Sequence, residues 1–183
     1  MGLATCSAGL IGHAFLYMVS FNWKMIGWTF SAFAIYLIER SAIHFTKAFL
    51  TDKQVQWLYR INVAQILIFF LVILNPETRT FSAVKINSTI GLVGFVLPLH
   101  LLNYKRTHHP GSRQLLLGIV AGIFPAITFN FEITFHKWFN YHDISHVLMA
   151  MVMFAMYLGA RYLADIEKPV SLQPTQPLQT QSD

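Results

Sequence analysis

Six runs of mostly apolar residues divide this chain, each about as long as the ~20 residues a helix needs to cross a bilayer. They cover residues 3–21, 25–48, 55–75, 83–103, 114–137 and 141–163. Inside hydrocarbon every backbone N–H and C=O needs an internal partner, so runs of this kind are read as helices. The expectation is an all-α, polytopic membrane bundle with about six transmembrane helices, occupying residues 1–167. Composition agrees. Hydrophobic residues make up 55% of the chain and charged residues 11%, against roughly a quarter charged in an average soluble domain.

The breaks between runs are short and polar: Asn22-Trp23-Lys24, Thr51-Asp52-Lys53, Asn75-Pro76-Glu77 and Phe139-Asn140-Tyr141. Lys105 to Arg113 reads as a basic loop holding His108 and His109. Pro98 and Pro125 fall inside the fourth and fifth runs and are expected to kink them, because proline lacks the N–H and crowds the preceding turn. Residues 168–183 are rich in Pro and Gln without a hydrophobic period, which predicts a disordered tail.

The formal charge is +5. The basic residues lie between apolar runs, so they orient the chain against membrane lipid and do not suggest a nucleic-acid partner. Lys47, Lys53, Arg60, Lys105, Arg106, Arg113, Arg161 and Lys168 fall on one side, and Lys24, Arg79, Lys85 and Lys137 on the other. The excess predicts both termini in the cytoplasm. The one cysteine, Cys6, excludes an internal disulfide. Neither a signal-peptide pattern nor a myristoylation pattern is present, so no cleaved targeting segment is expected.

Ionisable groups at membrane depth are costly and mark function by default. They fall into three groups. Glu132 and His136 are four apart in the fifth run, and His142 and His146 are four apart in the sixth, with Asp143 beside them. On facing helices they would lie at similar depth. His136, His142, His146 and Glu132 could then hold a divalent metal such as zinc, and Asp143 or Glu132 could act as general base on a metal-bound water. The alternative is a capped interfacial turn, with Asn140 as N-cap and Asp143 at the third helical position.

The second group, His13, Glu39, Arg40 and Gln65, lies near the bilayer centre. Glu39 and Arg40 are adjacent, so they point about 100° apart, and Glu39 can accept from His13 or from the Gln65 amide. Interhelical glue is the structural alternative. The third group is Ser41, His44, His100 and Asn103, toward the cytoplasmic side.

The segment from His136 to His146, followed by Gly159-Ala160-Arg161, resembles the C-terminus of an uncharacterised family of bacterial multi-pass membrane proteins. Phe139, Asn140, Asp143 and His146 carry the resemblance, and Ser41-Ala42-Ile43-His44-Phe45 is similar to an earlier span there. Glu39-Arg40 stands where that family tends to have glycines. The resemblance implies the cytoplasmic membrane of a bacterium and no settled activity. A fainter similarity joins Ser41, His44, His142 and His146 to the alkaline ceramidase and progestin/adiponectin-receptor superfamily of zinc-dependent amide hydrolases. With six spans, His44 and His146 would lie on opposite sides, about 20 Å apart in depth, and could not share a metal.

Three functions therefore compete. One is a metal-dependent intramembrane hydrolase acting on a lipid or lipid-linked substrate, built on the last hairpin. Another is a non-enzymatic membrane protein, a small transporter or complex subunit, with Glu39, Arg40 and His13 along a path. The third is a b-type haem electron carrier with His44 and His100 on one haem and His136 and His146 on another.

Overall fold

A computed structural model of the chain describes residues 21–166. The first expected span, with His13, and the Pro/Gln-rich tail lie outside the described residues. Apart from one short bridge between His136 and Phe139, the described residues form helices and turns only.

Helix α1 is Lys24–Thr46, entered through a 3-10 turn at Phe21–Trp23 and left through another at Lys47–Phe49. Helix α2 is Asp52–Leu74. It starts on a capping box: Gln54 N donates to Thr51 Oγ1 at 3.3 Å, and Thr51 N donates to Gln54 Oε1 at 2.8 Å. Both groups would otherwise be orphan donors at the helix start. Helix α3 runs Phe81–Thr107. Helices α4, Pro110–Ala121, and α5, Ile123–Asn130, form one span interrupted at Gly122. Helix α6 is Tyr141–Ile166.

Both internal prolines coincide with interruptions. Residues Ile90–Val96 of α3 form a π-helical stretch that ends just before Pro98, and the Leu97 N–H reaches back to the Leu92 carbonyl. The wider turn relieves the crowding that a proline ring brings to the turn before it. Pro125 is fully buried, and the α4–α5 break lies within the turn before it.

The basic loop expected from Lys105 to Arg113 is much shorter in the structure. Lys105 and Arg106 belong to the last turn of α3 and Arg113 to α4. Only His108, in a left-handed conformation (φ 52°), and His109 connect the helices. His109 Nδ1 accepts from the Gly111 N–H at 3.0 Å and caps α4. The fifth span also differs from expectation. It ends at Asn130 rather than near residue 137, and Glu132 has left-handed backbone (φ 52°).

Among the described residues, four helical segments are long and apolar enough to cross a membrane: Asp52–Leu74, Phe81–Thr107, Pro110–Asn130 and Tyr141–Ala164. Their outer faces carry exposed Leu67, Ile68, Leu71, Met151 and Phe154, as lipid-facing helices do. The chain is a membrane helical bundle. Helix α1 has the same length as α2, 23 residues, but carries Glu39 and Arg40 and is not among those four.

Helix α1 packs against α2 and α3, α3 against α4, and α4 and α5 against α6. The α4–α6 crossing is close because it is built on small residues. A Cβ added at Gly159 would lie 3.0 Å from the Gly111 carbonyl oxygen, and one at Gly118 2.6 Å from Met156 Cγ. Two apolar clusters form along α1: one around Trp28, Ala32, Phe69 and Ile73, the other around Ala42, Ile43, Val96 and Leu99. A polar layer separates them.

Candidate functional site

That layer is centred on Glu39, which is 1% exposed. Asn62 and Gln65 are three apart on α2, so both amides share the face turned to α1. Asn62 Nδ2 donates to Glu39 Oε2 at 2.6 Å and to the Tyr36 carbonyl at 3.3 Å. Gln65 Nε2 donates to Glu39 Oε1 at 2.8 Å, and also reaches Asn87 Oδ1 at 3.2 Å and the Asn87 carbonyl at 3.3 Å. Three helices thus meet on one carboxyl group, and α3 arrives there just before its π-helical stretch.

Gly91, in that stretch, makes the approach possible. A Cβ there would overlap both Glu39 Oε1 and Ile35 Cγ2. Arg40 points elsewhere, as adjacent helical positions must. Its Nη1 donates to Tyr36 Oη at 2.9 Å, and its guanidinium lies 4.6 Å from the centre of the Tyr59 ring. Among the described residues no cation pairs with Glu39.

The site is short of hydrogen-bond donors. The two amide groups face more acceptor atoms than they have hydrogens to give. Behind them, Asn62 Oδ1 and Gln65 Oε1 are buried and accept no hydrogen bond from the described residues. Asn62 is itself 0% exposed. Unmade hydrogen bonds at this depth are expensive, so their presence beside a carboxyl needs a reason beyond helix packing. The expected Glu39–Gln65 bond is present; the other expected donor, His13, lies outside the described residues. Sequence reading missed Asn62 and Asn87. The signal was available, since Asn62 interrupts an apolar run three residues before Gln65.

A second buried polar cluster ties α3 to α4. Ser112 Oγ accepts from Asn103 Nδ2 at 2.8 Å, which leaves its hydroxyl hydrogen for His100 Nδ1 at 3.2 Å. Ser112 is 0% and His100 2% exposed, so no substrate reaches them directly. His44 lies on an exposed face of α1, with Nδ1 3.4 Å from Lys47 Nζ, and Ser41 is exposed as well. His44 and His100 therefore face different surroundings rather than one another.

The α5–α6 connection is a capped turn. Because α5 ends at Asn130, Glu132 and His136 do not share a helix face; both are exposed. His136 Nδ1 accepts from the Trp138 N–H at 3.2 Å, and the His136 and Phe139 backbones pair. Asn140 Oδ1 accepts from the His142 N–H at 2.9 Å, and Asp143 Oδ2 accepts from the Asn140 N–H at 3.1 Å. His146 Nδ1 donates to the His142 carbonyl one turn earlier, at 2.5 Å. Among the described residues no three His, Cys, Asp or Glu side chains gather closely enough to hold a metal ion. The metal set expected from Glu132, His136, His142 and His146 is not assembled. The physical reason is that the helix carrying its first two members stops before reaching them.

Compared with known proteins, the chain matches over residues 1–165 the model of a family of unknown function, DUF6962, and it belongs to that family. No curated protein and no solved structure matches it. The similarity to the ceramidase and progestin/adiponectin-receptor superfamily gains no support from these comparisons.

Proposed function

We propose that this member of the family is a small membrane transporter, acting alone or as a subunit of a larger assembly, with the Glu39 layer as its working centre. The observation that carries the reading is an acidic side chain buried among three helices and held, among the described residues, by neutral amides. Glue between helices needs no acid, because a glutamine in its place would hydrogen-bond without the cost of a desolvated charge. A π-helical turn beside the acid is a further functional sign, since such turns recur at functional sites.

The finer topology belongs to the same proposal: six spans, both termini on the cytoplasmic face, and residence in the cytoplasmic membrane of a bacterium. The six apolar runs support the span number, the excess of Lys and Arg on one side supports the orientation, and the resemblance to bacterial multi-pass proteins supports the membrane. The hydrolase reading, with zinc on the last hairpin, lacks a gathered ligand set. The haem reading lacks a facing pair, because His100 is engaged with Ser112 while His44 lies on an exposed face.

Reconstitution into liposomes tests the proposal. Ion flux through the wild-type protein should be lost in Glu39→Gln while the helical circular dichroism spectrum is kept. Equal flux in both proteins would remove Glu39 from the function.

A further inference from the structure

We infer that the Glu39 centre takes up one small monovalent cation, stripped of water and held directly on the carboxylate: a proton or a sodium ion. The inference rests on the preceding reading that this layer is the working centre, and it names what the layer binds.

The chemistry of the lining sets the class. Oxygens gather around the carboxyl: Asn62 Oδ1 and Gln65 Oε1, which accept nothing from the described residues, and Asn87 Oδ1 and the Asn87 carbonyl, which face the Gln65 amide. Oxygen ligands suit hard cations, not the soft metals that need Cys or His. The set contains one carboxylate and neutral dipoles, which balances a single positive charge. A divalent ion in so buried a place would keep an uncompensated charge, since Glu39 is the one acid among the described residues that line the centre.

The size of the space sets the hydration. The void bounded by Ala32, Tyr36, Glu39, Asn62, Gln65 and Asn87 does not admit a water molecule. A hydrated ion is therefore excluded from it. A proton needs no room, and a bare sodium ion needs only that the amides turn. The terminal torsions of Asn and Gln are broad and roughly two-fold, so an amide can present either its NH2 group or its oxygen to the carboxyl. With NH2 groups inward, as seen here, the carboxylate is held by donors. With an oxygen inward, oxygen would face oxygen, which is stable only with a positive charge between them. The two orphaned oxygens are thus the second half of an exchangeable ligand set.

Among the described residues, other charges do not compete. On α1, Arg40 is held by Tyr36 and Tyr59. On α2 the facing groups are the two amides, and Tyr59 lies under Arg40. On α3, Asn87 and Gly91 face the centre, and Lys85 lies over the Phe81 and Phe129 rings.

Purified full-length protein in detergent provides the test, with two arms. In the first, thermal unfolding is followed in sodium chloride against choline chloride at equal ionic strength. Sodium binding should raise the wild-type midpoint by about 4 °C near ten times its dissociation constant, and leave Glu39→Gln unmoved. In the second arm, infrared difference spectra are recorded across pH. Proton binding should give a protonated-carboxyl band that titrates in the wild type and is missing from Glu39→Gln. Asn62→Ala keeps the acid but removes a ligand oxygen, so it should weaken the sodium response and retain the carboxyl band.

A response in either arm supports the inference and identifies the ion. Silence in both arms from folded wild-type protein overturns it. Silence together with loss of flux in Glu39→Gln would overturn the cation assignment and leave the transport reading standing. A response without any effect on flux would do the reverse.

Discussion

Gly91 on α3 stands directly against Glu39 on α1, with no space between them for a methyl group. The opposing atoms are a buried carboxyl oxygen and the Cγ2 of buried Ile35, neither of which can swing into solvent. Gly91→Ala should therefore push α3 away from α1 and cost about 1–3 kcal/mol, the usual penalty for overpacking. Thermal unfolding in detergent measures it, and an unchanged midpoint would mean that the two helices do not approach as described.

Ser112 is shared by His100 and Asn103. Ser112→Ala removes the common partner and leaves two buried polar groups unmet, each with a penalty of roughly 1–3 kcal/mol. The expected result is a lower unfolding midpoint that Ser112→Thr partly restores by returning a hydroxyl. If alanine proves as stable as serine, the cluster does not join α3 to α4.

At the α4–α6 crossing, a Cβ at Gly159 would meet Leu115 N and the Gly111 carbonyl oxygen, both at 3.0 Å. Backbone atoms cannot yield as a flexible side chain can. Gly159→Val should accordingly separate the helices and destabilise by about 1–3 kcal/mol. A pair of cysteines introduced across the crossing should lose its crosslinking efficiency in that background; undiminished crosslinking would refute the close contact.

The last hairpin separates a cap from a metal site. Asn140→Ala and Asp143→Ala each remove a hydrogen bond at the start of α6 and should cost about 1 kcal/mol. Glu132→Ala and His136→Ala alter exposed loop positions and should stay within about 0.5 kcal/mol of wild type. Stoichiometric zinc in purified wild type, lost in Glu132→Ala, would reverse this assignment.

Much of the fold was legible in the order of residues. The start of α6 at Tyr141 follows from Asn140-x-x-Asp143, in which side chains replace missing backbone partners, whereas the Thr51–Gln54 capping box that starts α2 at Asp52, ahead of the run expected from residue 55, was not read. Those are local bonds, settled within one turn. The bond from Gln65 to Glu39 was also foreseeable, since a buried acid at that depth needs a donor from another helix. The stop of α5 at Asn130 was not read from the sequence: Phe131, Ile133 and Phe135 keep the run half apolar, and Asn130, Glu132 and Thr134, which alternate with them, fit polar positions on a continuing helix.

Apolar run length alone determined that this chain is a membrane helical bundle, because hydrocarbon permits so few arrangements of an unsolvated backbone. Which polar residues work together was decided only when the helices packed. Glu39, Asn62, Gln65 and Asn87 come from three helices, and their meeting depends on rotations and on the π-turn of α3, which no spacing along one helix records. Periodicity tells which residues share a face of one helix; the choice of facing neighbour is a property of the assembled bundle.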